Sequence, residues 1–80
     1  MPRFRIVHRH APDECGASLA AWQGFASPLR KQVVVASCAF GRHQVWWDVE
    51  APAADEALAL LPAFVRFRAD IQRIDDLATP

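Results

Sequence analysis

Val65-Arg66-Phe67-Arg68-Ala69-Asp70-Ile71-Gln72-Arg73-Ile74 reads in two ways, and the fold depends on which one wins. As a strand, Val65, Phe67, Ala69 and Ile71 share one face, with Arg66, Arg68, Asp70 and Gln72 on the other; as a helix, Phe64, Phe67, Ile71 and Ile74 form a stripe. Pro62 just upstream disturbs any helix entering the segment, and the β-branched content favours extended backbone. The segment is therefore predicted to be a short helical turn followed by a strand. The alternative is a three-strand β-α-β-β-α chain with a long last helix.

Working outward, residues 3 to 10 alternate, with Phe4, Ile6, His8 and His10 on one face and Arg3, Arg5, Val7 and Arg9 on the other, the period of a strand. After Pro12 and Asp13, a candidate N-cap, Cys15, Leu19, Trp22 and Ala26 fall at helical spacing, and the helix stops before Ser27-Pro28. Residues 32 to 40 and 44 to 51 read as β-branched and aromatic strands joined at Gly41-Arg42, so that Phe40 faces His43. Pro52 opens a helix with Asp55 and Glu56 in its first turn, disturbed at Pro62. The sum is an α+β, ferredoxin-like β-α-β-β-α-β chain: a four-stranded antiparallel or mixed sheet with two helices on one face, residues 1–80 forming one domain.

Nine basic and nine acidic side chains cancel, which argues against a general attraction to nucleic acid or to an anionic membrane. No apolar run approaches a membrane span and no signal segment stands at Met1-Pro2-Arg3-Phe4, so the expected address is cytoplasmic. Cys15 and Cys38 are too few for a disulfide scaffold and too distant in sequence for a C-x-x-C metal pair. A chain of 80 residues has a marginal core, so a homodimer is expected to cover part of its surface.

His8-Arg9-His10-Ala11-Pro12-Asp13-Glu14-Cys15 carries the densest chemistry. Imidazole nitrogen and thiolate sulfur suit nickel, copper or zinc, and Asp13 or Glu14 could add oxygen, which makes His8, His10 and Cys15 the candidate metal ligands. Against this, His8 reads equally as a half-buried strand residue, His10 as a solvated loop residue and Cys15 as the first apolar position of the helix. A third reading makes Cys15 a nucleophile, its thiolate favoured by the helix start and the imidazoles and opposed by Asp13 and Glu14.

The order of elements, with Val49-Glu50-Ala51-Pro52 running into an acidic helix start, resembles the small dimeric ferredoxin-like proteins (dimeric α+β barrels), including nickel-binding members. In the similar heavy-metal-associated domains the metal loop lies between the first strand and first helix, where this chain has His8, His10 and Cys15. Their C-x-x-C is absent here. The resemblance implies a sheet-to-sheet homodimer binding a small ligand or transition metal.

On the outer sheet face, Arg5, Arg9, Trp46 and Asp48 are the candidate contacts for a small-molecule ligand, flanked by Val33 and Val35. With some dimeric α+β barrels as a guide, a cofactor-free monooxygenase or isomerase built on that face is the alternative function, and a purely structural or interaction module is another. Trp46 and Trp47 must point to opposite faces of a strand, so they form no common stacking platform.

Overall fold

The computed structural model describes residues 1–80. Strand β1 (Arg3–Arg9) runs into a 3-10 turn (Pro12–Glu14) and helix α1 (Cys15–Ala20). An irregular stretch leads to strand β2 (Val35–Ala36), a 3-10 turn (Cys38–Phe40) and strand β3 (Gln44–Glu50). Helices α2 (Ala54–Leu58) and α3 (Ala63–Arg66) precede strand β4 (Ala69–Ile74).

All strand pairs are antiparallel, in the order β2-β3-β1-β4. β1 and β3 pair with Arg3 opposite Glu50 and Arg9 opposite Gln44, so Phe4, Ile6 and His8 stand across from Val49, Trp47 and Val45. That face carries the core: Phe4, Ile6, Trp47, Val49 and Ala51 pack with Ala57, Leu61 and Val65 from the α2–α3 segment. Only 11 of 80 residues are buried, so hydrophobic burial alone gives this fold little margin.

The ferredoxin-like β-α-β-β-α-β arrangement with two helices on one sheet face is not what forms. The chain is a small α+β structure with four antiparallel strands and few, short helices. Two local causes contribute to the difference. α1 ends at Ala20 rather than near residue 26, since the chain turns through Gly24, whose φ of 75° is a left-handed conformation that a helix cannot continue. Leu19, expected on the buried stripe, is 75% exposed, and Ser18 is buried instead. The second helix is split into pieces of five and four residues on either side of Pro62, where the missing N–H ends any continuous helix.

The β2–β3 hairpin also departs from expectation. Val35 pairs with Trp46 and Ala36 with Val45, a register two residues away from the one that set Phe40 opposite His43. Residues 38 to 40 coil into a 3-10 turn closed by Gly41 at φ 92°, and the Ser37 hydroxyl donates to the Arg42 carbonyl across that turn. Phe40 is left 87% exposed. In the tail, residues 63 to 66 are helical and only Ala69–Ile74 pairs with β1; Phe67, expected against the helices, is 79% exposed.

Candidate metal centre

The face of β1 that buries Phe4, Ile6 and His8 continues one step to His10. The β1–β3 ladder extends with it, because the His10 amide donates to the His43 carbonyl at 3.1 Å. The two histidines thus stand opposite one another at the ends of adjacent strands. Cys15 opens α1 after the 3-10 turn at Pro12, and Cys38 opens the turn between β2 and β3. Two segments distant in sequence, 10–15 and 38–43, therefore converge on one point.

One donor atom each from His10, Cys15, Cys38 and His43 lies within 4.8 Å of every other, and all four residues are half-buried. His10 Nε2 is 3.2 Å from Cys15 Sγ and 3.7 Å from Cys38 Sγ, and His43 Nδ1 is 3.0 Å from Cys15 Sγ. Zinc bound tetrahedrally through nitrogen at about 2.0 Å and sulfur at about 2.3 Å requires N···S edges of about 3.5 Å. The observed spacings bracket that value, so the cluster could hold a metal ion such as zinc with small side-chain adjustments. Both cysteines are free thiols.

His8 sits directly behind this cluster with both ring nitrogens engaged. Its Nδ1 lies 3.1 Å from the Val65 carbonyl, and a carbonyl only accepts, so the proton of the neutral ring is on Nδ1. Nε2 is then an acceptor, facing His10 Nδ1 at 3.0 Å and the Ser18 hydroxyl at 3.3 Å. His10 donates from Nδ1, which leaves its Nε2 lone pair pointing at the two sulfurs. The chain from Val65 through His8 to His10 thus selects the tautomer that a metal requires.

Burial pushes the pKa values of His8 and His10 down, aided at His10 by neighbouring His43, so both rings stay neutral into more acidic solution. Burial pushes the Cys15 thiol up, with Cys38 adding to the effect. That runs against the activated-nucleophile reading, which needs a depressed thiol pKa.

Glu14 holds the loop between His10 and Cys15. One carboxylate oxygen accepts the Ala11 amide at 2.8 Å, and the other accepts Arg68 Nε at 3.0 Å. The Ala11 bond, and then Arg68, depress the Glu14 pKa. Arg68 in turn lies over the Phe64 ring, 3.6 Å from its centroid, and donates to the Phe64 carbonyl. Through these contacts the loop is tied to the α3–β4 junction.

Of the three ligands expected from sequence, the structure brings His10 and Cys15 together and places His8 outside the cluster, hydrogen-bonded to His10. Cys38 and His43 were not legible as partners. Cys38 reads as a core position on a strand, and His43 as a turn neighbour; the one available signal was their five-residue spacing around Gly41-Arg42. On the outer face, Arg5 and Asp48 form a two-pronged ion pair at 2.8 and 2.9 Å, which depresses the Asp48 pKa. With Trp46 they line a shallow depression beside Val33 and Val35. Arg9 lies apart from it, paired with Asp70.

Comparison with known protein families, curated proteins and solved structures finds no match to this chain. No helix is long and apolar enough to cross a membrane.

Proposed function

We propose that this chain is a small metal-binding protein in which His10, Cys15, Cys38 and His43 form a tetrahedral centre for zinc. The convergence of their four donor atoms within 4.8 Å carries the reading. Two thiolates and two imidazoles suit zinc better than a hard oxygen-seeking cation. Four protein ligands leave no position for a substrate, so the centre is structural. It clamps the end of β1 and the start of α1 to the turn between β2 and β3, where the edge strand β2 is only two residues long. A fold burying so few residues gains most from such a staple, since metal bound only by the folded state adds to folding free energy.

The test is elemental analysis of protein purified without an affinity tag, followed by thermal unfolding with and without a chelator. One equivalent of zinc and a melting temperature that falls on chelation are expected. Substoichiometric metal together with a melting temperature indifferent to added zinc would overturn the assignment.

A second copy of the chain is the partner we propose for the outer face. Val33 is fully exposed and Val35 is 69% exposed, both beside Trp46, while β2 is a sheet edge paired on one side only. An uncovered apolar face of this kind favours contact with a second copy. Sedimentation should give a dimer that Trp46→Glu dissociates; a monomer at all concentrations would refute it.

A further inference from the structure

Between α1, the 21–34 stretch and the core face of the sheet lies a cleft of about 660 Å³. Its walls are apolar: Leu19, Trp22, Leu29, Val34, Val45 and Trp47 line it, with the Trp22 and Trp47 rings 5.9 Å apart. The outer wall is fixed. The Ser27 hydroxyl donates to the Leu60 carbonyl at 2.7 Å, and Leu29 packs on the core. The volume falls in the range of small-molecule sites, roughly 300–1,000 Å³.

The charge around this cleft has one sign. Arg30 and Lys31 both line it and both are exposed; neither enters any of the four ion pairs of the chain. Lys31 holds a left-handed φ of 66°, a conformation uncommon for a lysine. No aspartate or glutamate is among the lining residues. His10, Cys15 and Cys38 form part of the lining but contribute no net charge: as thiols and neutral imidazoles they carry none, and as two thiolates they would cancel a divalent ion. The cationic pair is therefore the unbalanced charge beside an apolar space.

From this juxtaposition we infer that the cleft binds a small apolar carboxylate, its hydrocarbon or aromatic body between Trp22 and the sheet and its carboxylate at Arg30 and Lys31. Burial of the body supplies affinity, and the two cations supply the preference for an anion. The inference does not depend on the metal reading, because the charge argument holds for thiols and for metal-bound thiolates alike.

Octanoate, octanol and octylamine have the same chain and differ in head-group charge. Titrating each into the protein while following the indole N–H resonances separates the cleft tryptophans, Trp22 and Trp47, from Trp46 on the opposite face. Octanoate should shift the Trp22 and Trp47 resonances saturably, with octylamine at least about tenfold weaker, as two exposed charge contacts imply. The double variant Arg30→Gln/Lys31→Gln should weaken octanoate about tenfold, to the level of octanol, and leave octanol binding unchanged. Equal affinity for octanoate and octanol in the wild type, no saturable shift, or shifts confined to Trp46 would each overturn the proposal. Failure of the metal reading would appear instead in the zinc titration, with the octanoate preference intact.

Discussion

The His10 amide donates to the His43 carbonyl at 3.1 Å, one step past the last paired residues of β1 and β3. This single backbone bond aligns two imidazoles 33 residues apart in sequence, and it does so because the β1–β3 register is pinned by its buried face. A shift of one residue would put Trp47 and Val49 on the opposite face of the sheet from Phe4 and Ile6. The core therefore positions the candidate ligands.

If His10, Cys15, Cys38 and His43 act as one centre, Cys38→Ser and His43→Ala should each weaken zinc binding as severely as Cys15→Ser. Losing one of four ligands from a closed site is expected to cost at least about a hundredfold in affinity, whereas Asp13→Asn should leave it unchanged. Competition against a chromogenic chelator measures all four. Wild-type affinity in either the Cys38 or the His43 variant would remove that residue from the centre.

In the proposed centre His8 is the positioning residue, its Nε2 facing His10 Nδ1 at 3.0 Å. His8→Phe should weaken zinc binding about ten- to a hundredfold, the usual effect of losing a partner behind a metal ligand. Ring nitrogen shifts of His10 provide the direct readout. They should report a proton held on Nδ1 in the metal-free wild type and a mixture of tautomers in the variant. An unchanged tautomer would show that His8 only fills space.

Zinc affinity should rise with pH across the neutral range. The Cys15 thiol, pushed up by burial, is protonated there and must lose its proton to the solvent when metal binds. Calorimetric titrations in buffers of different ionisation enthalpy should reveal that release, and Cys15→Ser should reduce it. Binding heats independent of the buffer would contradict it.

Asp48 gives the fold a separate acid limit. Its pKa is lowered in the folded state, chiefly by the hydrogen bonds from Arg5, so the folded state holds the Asp48 proton less tightly than the unfolded chain does. This contribution is complete above the ordinary carboxylate range and is lost as pH falls through the lowered folded value. Arg5→Gln should flatten that part of the melting-temperature profile. The effect is modest because both side chains are about half exposed.

Leu61 is fully buried where α2 and α3 meet the sheet. Leu61→Ala should lower unfolding free energy by about 2–5 kcal/mol through lost burial and the cavity left behind. Denaturant unfolding at saturating zinc measures this. A loss below about 1 kcal/mol would mean that the α2–α3 segment is not part of the cooperative core.

Strand alternation was readable from the chain alone wherever one face is buried. Phe4, Ile6 and His8 in β1, and Trp47 and Val49 in β3, have the burial their spacing dictates. The interruption at Pro62 was equally readable, since a proline's missing N–H acts locally. Helix length was not. The Cys15, Leu19, Trp22 and Ala26 stripe has the right period, but the turn at Gly24 ends the helix and the burial shifts to Ser18. The hairpin register failed for a related reason: Ser37 bonding to Arg42 and a left-handed Gly41 together favour a 3-10 turn over continued pairing.

By itself the sequence determined the composition of the candidate centre only in part: it placed His10 and Cys15 close along the chain, at the junction of a strand and a helix. It also set the neutral overall charge and the lack of a span long enough for a membrane. The tertiary structure decided the other half of the centre. Cys38 and His43 join it because antiparallel pairing of β1 with β3 brings position 43 opposite position 10 and swings the preceding turn alongside. Local periodicity reports which face a residue takes, whereas the convergence of distant side chains depends on register, which is fixed only when the whole core packs.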